Sequence, residues 1–291
     1  MNYKDSSTTA LPPDYLEFNQ VIQSFNRAAH HYSAHAHLQK KIGEDLIQRL
    51  HYLTIKPLQI ADIGCGSGHL LPLLQQFYPT AQIYGIDVAP QMLQIAQQTH
   101  PTAQFICAEA TQLPVATHSI DLIISNLMLQ WCNDIHAVFT EFVRVLKPEG
   151  TLLFSTFGPD TLQELRLSWA KVDNYNHINY FIDMHNIGDS LLQAGLRSPV
   201  MDTERLVLTY PDGMRLMRDL KMIGAHNVTV GRPQGLTGKG KLQAILAHYE
   251  TFRTKQNLLP ATYEVIYGYA LGNYPVETEL SIVSLENLHR L

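Results

Sequence analysis

The sequence predicts an α/β fold in which helices flank a doubly wound, mostly parallel sheet of seven strands. Two observations support this prediction. Short apolar runs of strand length alternate along the chain with segments of helix length, as in parallel sheets whose strands are joined by crossover helices. The first run leads directly into the glycine-rich sequence Gly64-Cys65-Gly66-Ser67-Gly68, which is typical of a tight turn between a strand and a helix.

The chain before the first strand is expected to be helical. Within residues 15–53, apolar side chains recur at helical spacing, first over residues 18–25 and then over residues 38–50. We therefore assign residues 1–56 to an N-terminal helical region.

Residues 57–160 are predicted to form the core of the sheet. Its strands correspond to the apolar runs 58–63, 81–86, 105–107, 120–125 and 151–157. The helices between them correspond to residues 69–77, 90–99 and 134–146. Pro90 suits the first turn of a helix, and the sequence Lys147-Pro148-Glu149-Gly150 provides a stop after the last one.

The rest of the chain is predicted to supply a cap and two more strands. Residues 161–255 are assigned to cap helices and a late strand, and residues 256–291 to the last strand and a C-terminal extension. The predicted helices are 160–172, 183–194, 212–222 and 240–254, and the predicted strands are 204–210 and 262–271. The aromatic-rich residues 175–181 are expected in a helical cap over the carboxyl ends of the strands, and residues 263–269 in a buried strand.

Composition excludes several classes of function. Hydrophobic residues make up 45% of the 291 residues and charged residues 16%, so the chain can bury a large core. A net charge of −5 argues against a general nucleic-acid partner, because phosphate contacts need a concentrated basic surface. Three widely spaced cysteines favour a reducing compartment, and no apolar run reaches the length of a membrane span. We expect a cytoplasmic protein without membrane attachment.

Charge is distributed unevenly along the chain. Residues 211–255 contain eight basic and three acidic residues. Such a basic face can attract an acidic partner, although an ordinary solvated surface would give the same count.

The glycine-rich turn and an acid that follows it predict a nucleotide-like cofactor. Asp87 ends the second strand about 20 residues after the glycines, where a βαβ unit places an acid on ribose hydroxyls. The Gly-x-Gly-x-Gly spacing is tighter than the Gly-x-Gly-x-x-Gly of dinucleotide sites. It favours a ligand that has a ribose and no phosphate, which is S-adenosylmethionine.

The motifs Asp62–Gly68 and Gly85-Ile86-Asp87 resemble those of the class I S-adenosylmethionine-dependent methyltransferases, which have a Rossmann-like sheet. This resemblance implies that Glu109 binds the adenine amino group and that residues 1–56 form an N-terminal helical lid. Tyr32 would lie over the cofactor as part of this lid, although Tyr32 would also suit core packing. The implied cofactor contacts are Tyr32, Asp62, Gly64, Cys65, Gly66, Gly68, Asp87, Val88, Met92, Glu109, Ala110, Asn126 and Leu127.

Further residues narrow the resemblance to one family. Residues 25–32, Leu38-Gln39, 125–131 and 217–225 are similar to those of the malonyl-acyl-carrier-protein O-methyltransferases of biotin synthesis. The chain departs from that pattern by continuing over residues 272–291 and by matching weakly over residues 234–259. The resemblance implies transfer of a methyl group to the free carboxylate of a malonyl group, with S-adenosylhomocysteine as the second product. It also implies an acyl carrier protein as partner, docked on the basic face within residues 211–255.

Five residues are candidates for binding this substrate, namely Arg218, Lys221, Arg27, Gln130 and Trp131. A planar guanidinium grips a carboxylate at two points, which favours Arg218. Arg218 and Lys221 would equally suit a surface that contacts the carrier. No general base is nominated, because a carboxylate is already ionised near neutral pH.

Other functions stay open at this point. One alternative is a methyltransferase of another small carboxylic acid or metabolite, and another is an assembly factor that keeps the fold without methyl transfer. The cluster of His30, His31, His35 and His37 lacks the glutamate and the carboxylates of a zinc motif, so no metal is expected. Cys65 is interpreted as a small turn residue rather than a nucleophile.

Overall fold

The structure is a computed structural model that describes residues 11–233, 235 and 237–273. Its strands are β1 (Gln59–Ile63), β2 (Gln82–Asp87), β3 (Gln104–Cys107), β4 (Ile120–Asn126), β5 (Leu146–Phe157), β6 (Arg197–Tyr210) and β7 (Leu259–Leu271). Its α-helices are α1 (Phe18–His35), α2 (His37–Gln48), α3 (Leu70–Phe77), α4 (Pro90–Thr99), α5 (Ile135–Val145), α6 (Gln163–Trp169), α7 (Met184–Gln193), α8 (Gly213–Met222) and α9 (Lys239–Glu250).

The seven strands form one sheet in the order β3-β2-β1-β4-β5-β7-β6. The first five strands pair in parallel, whereas β7 is antiparallel to both β5 and β6. The predicted doubly wound, mostly parallel sheet is therefore confirmed. The direction of winding reverses between β1 and β4, and open α/β sheets bind ligands at the carboxyl ends of the strands beside such a reversal.

Both faces of the central strands are buried, because helices cover the sheet on each side. On β4, Leu122 and Ile124 belong to the core under α2 and α3, while Ile123 belongs to the core under α5 and α7. All three side chains are fully buried. This alternation follows from the two-residue period of a strand.

Three aspartates start helices where the sequence analysis placed them. Asp134, Asp183 and Asp212 precede α5, α7 and α8, and each carboxylate accepts a backbone N–H of the first turn. Each such cap contributes about 1 kcal/mol. α4 begins at Pro90 as predicted.

The aromatic-rich residues 175–181 are not helical, so the prediction that they belong to a helical cap is wrong. Asp173 accepts a hydrogen bond from the backbone N–H of Tyr175 and another contact from the His177 ring at 2.7 Å. The same ring stacks on Trp169 at 3.6 Å. Local side-chain bonds of this kind compete with helical hydrogen bonds, and they hold the segment as an irregular loop.

Several element boundaries also differ from the prediction. The strand predicted over residues 204–210 starts at Arg197, because its pairing with β7 continues to that residue. β5 starts at Leu146 rather than at residue 151. The predicted N-terminal helical region is divided at Ala36. Most of the predicted C-terminal extension, residues 274–291, lies outside the described residues. None of the helices in the described part of the chain is both long and apolar enough to cross a bilayer.

Candidate active site

A cavity of about 350 Å³ opens at the carboxyl ends of β1, β2 and β4. Its lining contains most of the cofactor contacts implied by the sequence, namely Tyr32, Gly64, Gly66, Asp87, Val88, Met92, Glu109, Ala110, Asn126 and Leu127. The turn after β1 forms one wall, and α1 forms a cover. The topology therefore brings these separated residues to a single site.

The glycine-rich turn has a backbone that L-amino acids with side chains rarely adopt. Gly64, Gly66 and Gly68 have φ angles of +78°, +55° and +81°. A Cβ atom added at Gly64 would lie 2.4 Å from the side chain of Met128, whereas one at Gly66 would find its nearest neighbour, Tyr32, at 4.0 Å. Gly66 therefore leaves open space on the cavity side, which allows a ligand to approach the backbone.

Asp87 ties this turn to the end of β2. Its carboxylate accepts the backbone N–H of Gly66 at 2.9 Å and that of Ala89 at 2.8 Å. Burial raises the pKa of Asp87 despite these bonds. A carboxylate held at the lip of the glycine turn is the group that a ribose diol would contact.

Asp62 is the most informative polar group of the site. It is only 1% exposed, and neither carboxyl oxygen has a hydrogen-bond partner among the described residues. Burial, reinforced by repulsion from Asp87, raises its pKa to about 8. A buried acid without a partner is costly, so the site is built for a ligand that donates hydrogen bonds or carries positive charge.

A second acceptor without a partner lies beside it. Gln39 of α2 shares with Asp62 a small pocket that adjoins the cavity along Gly64 and Asn126. The Gln39 side-chain oxygen is buried and accepts no hydrogen bond from any described residue. Two buried acceptors in one pocket suit a group that donates hydrogen bonds or carries positive charge. The sequence analysis did not name Gln39 as a contact, although the resemblance at Leu38-Gln39 contained the signal.

Two other implied cofactor residues do not line the cavity. The Cys65 side chain is buried and lies toward Gly85 of β2. Burial raises the pKa of the Cys65 thiol well above its usual value, which agrees with a turn residue rather than a nucleophile. A Cβ at Gly68 would meet His100 and Ala96 of the α4 region, so Gly68 permits close packing and does not contact the cavity.

The α1 helix covers the cavity with the apolar side chains of Phe18, Val21 and Phe25. Phe25 packs edge-on against Trp131 with ring centroids 5.0 Å apart. Tyr32 of the same helix also lines the cavity, and burial together with the Asp87 charge raises the pKa of its phenol. The α1 helix belongs to residues 1–56, for which a lid was predicted, and several of its side chains line the cavity.

Residues 16–17, which we call the strap, precede α1 and connect it to other parts of the protein. The backbone of Leu16 exchanges two hydrogen bonds with the Asn133 side chain, at 2.7 and 2.9 Å. Arg232 donates to both carboxylate oxygens of Glu17, at 2.8 and 3.1 Å. Leu16 also bridges to Thr229 as a short antiparallel pair. Sequence reasoning missed these positions, because their partners are distant in the chain.

The substrate candidates fall into two groups. Gln130 and Trp131 line the cavity. Gln130 is buried, donates to the Leu127 carbonyl at 2.7 Å and accepts from Thr156, so it supports the loop after β4. The indole N–H of Trp131 has no hydrogen-bond partner in the part of the chain that the structure describes, which leaves it available as a donor.

The basic candidates lie elsewhere. Arg218 and Lys221 of α8 and Arg27 of α1 are exposed and do not belong to the cavity lining. Their neighbours Ile223 and Ala225 do line it. These cations therefore lie on the protein surface near a wall of the cavity and not inside it. No group of three metal-binding side chains is found among the described residues.

The chain is similar in sequence to known methyltransferases. A family model described as a methyltransferase domain matches residues 61–154. The malonyl-[acyl-carrier protein] O-methyltransferase of Gallionella capsiferriformans is 47% identical over 264 residues, which cover 88% of this chain and 91% of that protein. The protein of the same name from Methylovorus sp. is 46% identical over 260 residues, covering 86% of this chain and 88% of that protein.

A solved structure supports the fold. The YcgJ protein from Bacillus subtilis superposes with a TM-score of 0.58 at 15% identity, covering 80% of this chain and 99% of that one. With the sequence relatives, the glycine turn and the acids Asp62 and Asp87 in place, the chain belongs to the malonyl-[acyl-carrier protein] O-methyltransferase family of class I S-adenosylmethionine-dependent methyltransferases.

Proposed function

We propose that this protein transfers the methyl group of S-adenosylmethionine to the free carboxylate of a malonyl group carried by an acyl carrier protein, as a step of biotin synthesis. The observation that supports this most strongly is a site with two parts. Its inner part is the glycine turn with the small adjoining pocket, where the acceptors of Asp62 and Gln39 have no partner among the described residues. Its outer part is the cavity under the apolar side chains of α1, next to the exposed cations of α8.

The inner part fits the cofactor group by group. Asp87 would bind the ribose hydroxyls, Asp62 and Gln39 the ammonium group, and Glu109 the adenine amino group. Gly66 lets the backbone approach the ligand. When bound, S-adenosylmethionine supplies a methyl group that is open to attack by an oxygen anion.

The protein's part in the reaction is positioning and exclusion of water. The substrate carboxylate is ionised near neutral pH, so no side chain has to remove a proton from it. The α1 cover and its strap close the cavity over the reacting groups, and Trp131 offers a neutral donor that can orient the carboxylate. Holding two reactants in line can contribute up to about 7–11 kcal/mol to barrier lowering.

The carrier docks, in this proposal, on α8 and the adjoining surface of α1. Among the basic residues of 211–255, Arg232, Lys241 and Arg253 form ion pairs within the protein. Three of the eight basic residues counted in this segment are therefore already paired with acids of the protein and are less available to a carrier.

Two cations of α8, Arg218 and Lys221, stay available. Arg218 and Lys221 form no ion pair with any residue that the structure describes, and both are exposed. Arg27 and Lys221 lie near the same imidazole. Burial, and then the positive charges of Arg27, of the paired Arg232 and of Lys221, lower the pKa of His226. A cationic surface of this kind attracts the acidic surface of a carrier protein.

The docking proposal is tested with variants at paired and unpaired cations. Arg218→Ala and Lys221→Ala should raise KM for malonyl-carrier protein and leave S-adenosylmethionine affinity unchanged. Arg253→Ala is the matched control, because Arg253 is already paired with Glu250. Added salt should raise the same KM. Equal effects of all three variants, or a KM that salt does not change, would exclude this face as the docking surface.

The substrate proposal is tested by comparing acceptors. Labelled S-adenosylmethionine is incubated with malonyl-carrier protein, malonyl-coenzyme A and free malonate. Preferential labelling of malonyl-carrier protein is expected. Faster labelling of free malonate would instead identify a methyltransferase of small carboxylic acids.

A further inference from the structure

The charges that line the cavity are unexpected for an enzyme that acts on an anion. Three acidic residues, Asp87, Glu109 and Asp134, contribute to the lining. Lysine, arginine and histidine are absent from that lining within the described part of the chain. The nearby cations Arg27, Arg218 and Lys221 are exposed and outside it.

A malonyl carboxylate that enters this cavity loses water and approaches acids of like charge. Both effects oppose binding, because an ionised group is costly to bury without a partner and Coulomb repulsion is stronger away from bulk water. The lining offers neutral donors, namely the Trp131 indole and the hydroxyls of Tyr15, Tyr32 and Thr111, whereas the Gln130 amide already donates to Leu127. Neutral donors do not cancel the charge of a buried carboxylate, so a positive charge has to come from another source.

We infer that the cavity binds the malonyl carboxylate against the positive charge of the methyl donor and not against a protein cation. The acidic lining then admits this anion only when the ligand bound at the cofactor site is positively charged at the position of the sulfonium. This inference rests on the proposed function. It makes the protein's own acids the reason for an order of binding, with the donor first and the acyl substrate second.

The same lining explains how the products would leave. In the transfer, the bond between sulfur and the methyl carbon breaks, its electron pair stays on sulfur, and a new bond joins that carbon to the carboxylate oxygen. The positive and the negative charge disappear together. The neutral ester then has no charged partner in the cavity, and the complex with S-adenosylhomocysteine rejects a second malonyl anion because only the acids remain.

The test measures binding without turnover. The wild-type protein is saturated either with S-adenosylhomocysteine, which is neutral at sulfur, or with sinefungin, whose amine is protonated at this position near pH 7. Binding of malonyl-carrier protein is then titrated by calorimetry. We expect the sinefungin complex to bind it about tenfold more tightly or better, a typical range for coupled ligands.

Two controls separate charge from shape. The methyl ester of malonyl-carrier protein differs from the substrate by one charge, and it should bind both complexes with similar affinity. By linkage, malonyl-carrier protein should tighten sinefungin binding by the same factor and leave S-adenosylhomocysteine binding unchanged.

Three results would count against the inference. Equal binding of malonyl-carrier protein to both complexes would overturn it. Docking predicts that Arg27→Ala and Arg218→Ala weaken binding to both complexes by the same factor, whereas loss of the difference between the complexes in either variant would identify a protein cation that replaces the donor's charge. Failure of malonyl-carrier protein to bind either complex, with both analogues bound normally, would instead refute the proposed substrate and the inference with it.

Discussion

Replacing Asp62 by asparagine should change how the stability of the protein depends on pH. The pKa of Asp62 is about 8 in the folded protein and 3.8 in the reference state. Between these values the folded state holds a proton that the unfolded state has released, so stability falls as pH rises, by about 1.4 kcal/mol for each pH unit. From pH 6 to pH 8 the loss is about 2 kcal/mol, which corresponds to a drop in Tm of about 4–8 °C for a protein of this size.

Thermal unfolding at pH 6, 7 and 8 measures this effect. The Tm of the wild type should fall across this range more steeply than the Tm of Asp62→Asn, which cannot ionise. Asp121→Asn is the matched control: although partial burial opposes it, hydrogen bonds from Lys147 and from the backbone of Gln59 and Leu58 lower the pKa of Asp121. That group is ionised throughout the range, so its loss should lower Tm equally at each pH. If the Tm of the wild type and the Tm of Asp62→Asn fall equally with pH, the raised pKa of Asp62 is refuted.

Three further predictions address the cofactor site and its cover. Asp87→Asn should weaken S-adenosylmethionine binding by about 10–100-fold in calorimetry, because a charged acceptor is worth about 1.5–3 kcal/mol; unchanged affinity would exclude the ribose contact. Gly64→Ala should lower both Tm and cofactor affinity, since a Cβ there would lie 2.4 Å from a methionine side chain; Gly240→Ala, with no atom within 4 Å, should lower neither. A double-mutant cycle of Glu17→Gln and Arg232→Met should give a coupling of about 1 kcal/mol in unfolding, and zero coupling would show that the ion pair does not hold the strap.

Local sequence was enough to predict many of the residues that line the cavity. Gly64 and Gly66 could be identified because their positive φ angles are properties of the turn itself, and Asp87 because a βαβ unit fixes its distance from that turn. Apolar runs of the right length were likewise enough for the sheet, since strands buried on both faces carry an unmistakable pattern.

Most features that were missed or misplaced depend on tertiary contacts. Gln39 reaches the pocket of Asp62 only because α2 packs beside it. The aromatic residues within 175–181 suggested a helical cap, but the side-chain bonds between Asp173 and residues 175 and 177 keep the segment irregular. By contrast, Arg218 is exposed because Leu216, Met217 and Leu220 of α8 pack against the core, and this apolar pattern was a local signal in the sequence that the choice of Arg218 did not use.

The central claim is that this cavity directs a methyl group to the carboxylate of a tethered malonyl group. Intact-mass spectrometry of malonyl-carrier protein after incubation with the enzyme and S-adenosylmethionine tests it most directly. A mass increase of one methyl group that mild base removes is the expected result. A carrier of unchanged mass, or a methyl group that survives base, would contradict the account.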